Sequence, residues 1–156
     1  RFYRTTSLEE NRAQLFRNIS TWEKLVVASA LIPFSPEQIS VIAQNQQRLF
    51  RDVIGHRSKQ SILKAIQGAG LTSVQIIEFA VALDRNRERL LPEEMWEDVR
   101  VPLIIEMTRY TGRQIDFIAQ NSSGRFINFL GVGVIGVHVR FFLINFMSNF
   151  LEHRRP

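Results

Sequence analysis

The sequence predicts an all-α fold: a short α-solenoid of helical hairpins followed by an apolar C-terminal helix. Three observations carry this. Helix starts recur in capping form, helix stops follow at glycine or proline, and one five-position pattern returns three times along the 156 residues. Alternating apolar and polar runs with Asn-Gly or Asp-Gly turns are absent before the last thirty residues, which argues against a sheet there. About eight helices in short antiparallel pairs are expected.

The elements follow in order. The chain opens Arg1-Phe2-Tyr3-Arg4-Thr5-Thr6-Ser7 with no acid before Glu9, which fits the stub of a processed organellar presequence; an arbitrary fragment boundary is the plain alternative. Ser7-Leu8-Glu9-Glu10 and Ser20-Thr21-Trp22-Glu23 have the spacing of a capping box. In that box a hydroxyl accepts from the N3 amide and the N3 side chain returns to the cap amide. Trp22, Leu25, Val26, Ala28 and Ser29 form the next helix's stripe, and Pro33 ends it. Ser35-Pro36-Glu37-Gln38 starts another helix, with proline at the first helical position where its missing donor costs nothing. Gly55 stops it. Ile62, Leu63 and Ile66 mark the following stripe, closed by Gly68 with Gly70.

Thr72 opens the next helix. The run from Asp84 to Arg89 then sets Asp84 against Glu88 and Arg85 against Arg89 at i,i+4, where like charges repel, so it reads as a solvated helix end or an interaction surface. Pro92 is expected to begin a helix whose first turn carries Glu93, Glu94, Glu97 and Asp98, a placement the macrodipole favours. Its stripe is Met95, Trp96, Val99 and Leu103, interrupted by Pro102. Thr111 starts a last capped helix before the loop Asn121 to Gly124.

Three of these starts share the pattern [Ser/Thr]-x-x-Gln-Ile-x-x-[Ile/Phe]-Ala, at Ser35, Thr72 and Thr111, 37 and 39 residues apart. Each position has a reason. Hydroxyl and Gln make the cap, while the two large apolar residues and the alanine fall on one helical face, the alanine permitting close approach of a neighbouring helix. Helix pairs at such periods are the signature of solenoids, whose repeats bury their faces by stacking.

The stretch Ser35-Pro36-Glu37-Gln38-Ile39 through Leu49 resembles one half of the octotricopeptide and heptatricopeptide repeats, a family of organellar helical hairpins, and Thr72 to Leu83 is similar to the same half. The resemblance covers roughly residues 20–120. It implies a mitochondrial or plastid address and either RNA binding or protein scaffolding. The family's core tryptophan is missing here, with Ile42-Ala43 and Phe79-Ala80 in its place, so no RNA contact is carried over residue by residue.

The domain reading is 1–19 as N-terminal segment and first helix, 20–120 as hairpin repeats, and 121–156 as the apolar C-terminal helix with a basic end. From Phe126 to Leu151 the single formal charge is Arg140. As a helix this segment runs about 39 Å, longer than the roughly 30 Å hydrocarbon core of a bilayer. Arg125 at one end and Arg154 with Arg155 at the other suit headgroup or partner contacts, and Gly131, Gly133 and Gly136 offer a smooth strip for helix packing. Against spanning stand Asn128, His138 and Arg140, since an arginine in the bilayer needs a carboxylate partner or a headgroup. A buried closing helix is the alternative, and two strands around Gly131 and Gly133 the third reading. The three glycines match a dinucleotide fingerprint as a string only, with no βαβ pattern and no acidic ribose ligand downstream.

Catalytic chemistry finds little support. There is no cysteine, and His56, His138 and His153 show no metal-ligand spacing. No serine sits in a G-x-S-x-G turn. No cofactor or metal is expected, and the chain does not read as an enzyme. Twenty basic residues against fifteen acidic ones give a net charge of +5, and seventeen of the twenty are arginine. Arg48 and Arg51 in one hairpin and Arg85 and Arg89 in the next form a candidate stripe for RNA phosphates or an acidic partner, with ion pairing to Asp52, Asp84 and Glu88 as the structural alternative. The expected function is that of a non-catalytic accessory subunit, a helical scaffold in a mitochondrial inner-membrane complex such as an ATP synthase or respiratory complex, in contact with other subunits and with lipid. The runner-up is an organellar RNA-binding or mitoribosomal protein.

Overall fold

The structure, a computed structural model, describes residues 7–16, 20–93 and 95–120. All regular structure among them is helical: α1 (7–10), α2 (Arg12–Leu15), α3 (Thr21–Leu31), α4 (Pro36–Gln44), α5 (Gln46–Phe50), α6 (His56–Gly68), α7 (Ser73–Arg85), α8 (Arg87–Leu90), α9 (Glu97–Met107) and α10 (112–120). The chain divides into two compact units, Arg1–Ala80 and Val81–Pro156, and the division falls inside α7. In the first unit α3 packs against α6, and α4 against α2 and α5. Among the described residues no helix is long and apolar enough to cross a membrane. The segment 126–151 expected to do so lies outside them, as do Arg125, Arg140, Arg154 and Arg155.

Four capping boxes form at the expected spacing, whereas Ser7, expected to cap the first helix, stands inside α1 as its first residue. Ser20 Oγ accepts from the Glu23 amide at 3.3 Å and Glu23 Oε2 accepts from the Ser20 amide at 3.2 Å. Ser35 with Gln38 (3.1 and 2.8 Å), Thr72 with Gln75 (3.2 and 3.0 Å) and Thr111 with Gln114 (3.2 and 2.9 Å) do the same. Each box satisfies two donors that the first turn would otherwise leave to water. Gln in place of Glu gains something further at Gln38. Its Oε1 closes the cap while its Nε2 donates to the Leu71 carbonyl at 2.8 Å, pinning the start of α4 to the α6–α7 turn. A carboxylate has no hydrogen for that bond.

The repeated apolar positions are all buried: Ile39, Ile76 and Ile115, then Ile42, Phe79 and Ile118, then Ala43, Ala80 and Ala119. One more position belongs to the pattern. The residue before each cap is Phe34, Leu71 or Tyr110, each buried, and it stands five residues ahead of the buried isoleucine in the arrangement of a hydrophobic staple. The α6–α7 turn is a Schellman motif in which Gly70, at φ +67, donates to Gln67 O and Leu71 donates to Ile66 O.

A second triplicate, in a different phase, breaks the helices. Asn11-Arg-Ala-Gln-Leu15-Phe16, Asn45-Gln-Gln-Arg-Leu49-Phe50 and Asn86-Arg-Glu-Arg-Leu90-Leu91 share Asn at the first position, Leu at the fifth and a large apolar residue at the sixth. Their asparagines have nearly one conformation, with φ/ψ of −104/13, −110/19 and −104/13. In each, Nδ2 donates to the carbonyl four residues back, at 2.8 Å to Ser7, 2.8 Å to Val41 and 2.9 Å to Ala82. The side chain thereby competes with the helix ladder and turns the chain, while the leucine that follows is buried. We call these the asparagine joints.

Three expectations need correction. The stripe of Trp22 and Leu25 faces outward, with 58% and 61% of their surface exposed, and α3 buries Val27, Ala30 and Leu31 instead. The helix expected from Pro92 starts at Glu97 after the exposed Trp96, so only Glu97 and Asp98 occupy its first turn and Glu93 stands ahead of it. Pro102 does not interrupt that helix. α9 runs through it, forgoing the one rung that proline cannot donate.

Candidate functional site

Among the described residues no group of His, Asp and Glu side chains is arranged to hold a metal ion. Polar side chains gather at the second and third asparagine joints and at the buried Glu106. His56, at the start of α6, stands with Nδ1 3.8 Å from Glu23 Oε1, so its partner belongs to the first capping box; His138 and His153 lie outside the described residues.

The four arginines of the expected stripe differ in their surroundings. Arg48 Nη1 donates to Asn45 Oδ1 at 3.0 Å, inside the second joint. Arg51 is exposed one residue beyond α5. Arg85 is held by Asp116 of α10, with Nε on Oδ1 and Nη2 on Oδ2, both at 3.0 Å. Arg89 is exposed on α8. Asp116, rather than Asp84 or Glu88, is thus the carboxylate for Arg85. It also accepts from Asn86 Nδ2 at 2.6 Å, so one side chain 30 residues away locks the third joint. Asp84 lies 3.6 Å from Arg87 Nε, an i,i+3 pair across the joint. The run does not continue as one helix, since α7 ends at Arg85 and the chain turns at Asn86, so the i,i+4 spacing behind the expected like-charge repulsion does not apply across it.

The second joint is open where the third is locked. Between α2 and the α4–α5 joint lies a cleft of about 580 Å³. Its rim carries the carboxamides of Gln14, Gln44, Gln46 and Gln47 and the cations of Arg51 and Lys59, above a floor that includes Leu15 and Phe50. The joint makes this possible: a straight helix would send Gln44 and Gln47 along one continuous surface, whereas the turn at Asn45 folds them around a concavity. Among the described residues no carboxylate lines the cleft. None of the six polar side chains has an ion pair or hydrogen bond to another described residue.

The charge of the whole chain is unevenly placed. Residues 7–120 contain fourteen basic and fourteen acidic side chains, and the excess of five lies in Arg1 and Arg4 at one end and in Arg125, Arg140, Arg154 and Arg155 against Glu152 at the other. The helical body is electroneutral.

Glu106 of α9 is 97% buried by its 3% exposure, and its Oε2 accepts no hydrogen bond among the described residues; the nearest cation, Arg109 Nε, is 3.8 Å away. A buried carboxylate near a helix C-terminus faces both desolvation and the negative end of the dipole. Glu106→Met is therefore expected to raise stability by about 1–2 kcal/mol, read as a higher urea midpoint at unchanged slope. A lowered midpoint would mean that the carboxylate contributes net stability to the fold.

Sequence reasoning missed the asparagine joints, although the signal was present as the spacing Asn-x-x-x-Leu followed by Phe or Leu. It missed Asp116 because nothing local marks that residue. No protein-family model, no curated protein and no solved structure matches the chain, so its own geometry carries the functional reading.

Proposed function

We propose that the chain is a non-catalytic accessory subunit, a helical scaffold within a mitochondrial inner-membrane assembly such as an ATP synthase or respiratory complex. Its helices are read as octotricopeptide-like hairpins stacked as a short solenoid, and the apolar run 126–151, flanked by arginines, as its membrane-associated part. The observation that carries the scaffold reading is the outward face of α3. Trp22, Leu25, Ser29 and Ile32 are exposed at spacings of three, four and three, so one helical face presents a tryptophan and two large aliphatic side chains to solvent. Apolar faces of that kind are spent on protein partners, and tryptophan is the residue most enriched at the energetic centres of interfaces. The electroneutral body supports this over the RNA-binding alternative, because a nucleic-acid surface draws its affinity from an excess of cations.

The reading is tested in mitochondria. Trp22→Asp with Leu25→Asp is expected to leave helix content unchanged and to remove the chain from high-mass assemblies on native electrophoresis. Persistence of the variant in those assemblies would count against the face. Carbonate extraction tests the membrane part, and release of the full-length chain into the soluble fraction overturns it.

A further inference from the structure

We propose that the cleft at the Asn45 joint docks an extended, acidic peptide segment of a partner protein. The inference rests on the scaffold reading and names the chemistry of one partner. Six side chains converge there, four carboxamides (Gln14, Gln44, Gln46, Gln47) and two cations (Arg51, Lys59), and none is committed to another described residue. A carboxamide offers a donor and an acceptor side by side, which is the pairing that the N–H and C=O of an extended strand require. Arg51 and Lys59 supply charge for carboxylates, and among the described residues no acidic side chain in the lining opposes them. The cleft holds about 580 Å³ and is partly open to solvent, which leaves room for a chain to lie along it.

The comparison between joints shows that this openness belongs to one of them. At the Asn86 joint the positions matching Gln44 and Gln46 are Arg85 and Arg87, and these are turned inward on Asp116 and Asp84. The same backbone turn is thus closed by ion pairs in one place and left as an unpaired polar cleft in the other. RNA suits the cleft less well. Among the described lining residues the aromatic side chain is Phe50, buried in the floor with 6% exposure, so none of them offers a ring for a base to stack on, and the surrounding body has no net positive charge.

The test is a titration of the ¹⁵N-labelled full chain, following the side-chain amide signals of the four glutamines. The probes are a nonapeptide of alternating Glu and Ser, the same peptide with Lys for Glu, and an oligouridylate of equal length. The acidic peptide is expected to shift those signals, less so as salt is raised, and the basic peptide to leave them in place. Arg51→Glu with Lys59→Glu is expected to weaken the acidic peptide about tenfold or more. Gln44→Leu with Gln47→Leu, which leaves the charge untouched, is expected to weaken it as well, whereas Arg113→Glu, at an exposed position of α10 in the other unit, has no effect. Far-UV ellipticity of each variant establishes that it is folded. No shift with the acidic peptide at several millimolar, an equal response to the basic peptide, or tighter binding of the oligouridylate overturns the proposal. If the peptide fails while Trp22→Asp with Leu25→Asp still dissolves the native assembly, the cleft assignment falls and the scaffold reading stands; the reverse pair of results separates them the other way.

Discussion

Phe79→Ala is expected to cost about 3–5 kcal/mol, the largest effect of any single replacement considered for this chain. Phe79 is fully buried in α7, with the fully buried Ile76 and Ala80 beside it, and occupies the second large apolar position of the thrice-repeated pattern. Removing the ring forfeits its transfer free energy and leaves a void beside small or branched neighbours that are themselves held on a helix, so the site has little freedom to collapse. Set against a typical domain stability of about 5–15 kcal/mol, that loss approaches unfolding. Trp22→Ala is the control. Trp22 is a larger aromatic residue at helical spacing, yet 58% of it is exposed, and its replacement is expected to move stability by only about 0.5 kcal/mol. Urea denaturation followed by ellipticity measures both. A cost below about 1 kcal/mol at Phe79 would contradict the burial described here.

The second large effect is at Asp116. Asp116→Ala removes the acceptor of two bonds from Arg85 and one from Asn86, and leaves that asparagine, 93% buried by its 7% exposure, with only its bond to the Ala82 carbonyl from Nδ2. Bonds to a charged acceptor are stronger than neutral ones, but the carboxylate is one-third exposed, which tempers the loss; about 2 kcal/mol is expected. Arg85→Ala should cost under about 1 kcal/mol, because that side chain is half exposed and Asn86 keeps its bond to Asp116. The double variant is then expected to cost little more than Asp116→Ala alone. Additive losses would show that Arg85 contributes stability by some route other than Asp116.

The contrast between Asp116 and the capping residues shows where legibility in the sequence ends. Ser35 and Gln38 are three residues apart, and their two bonds follow from helix geometry whatever surrounds them, so the box can be read from the letters. The same holds for the apolar triplets at Ile39, Ile76 and Ile115, whose register along a helix is set by its period. Asp116 meets Arg85 across 31 residues, and no local rule distinguishes it from Asp84 or Glu88, which are nearer in the chain and were the expected partners. The cleft has the same character. Gln44, Gln46 and Gln47 are visible as a glutamine run, but only the turn at Asn45 and the approach of α2 make them a concavity.

The sequence by itself determined that the described chain is helical, where the capped helices α3, α4, α7 and α10 begin, and which isoleucines and alanines form the repeated faces. These depend on contacts within one or two turns, whose geometry is fixed by the backbone. The tertiary structure decided which of two apolar stripes on α3 is core and which is surface, which carboxylate locks the Asn86 joint, and that the described residues around the Asn45 joint form a cleft. Those outcomes depend on which distant elements cover a given face. Covering a face is a competition among all the apolar surfaces of the chain, and it is settled by packing rather than by the residues of the face alone.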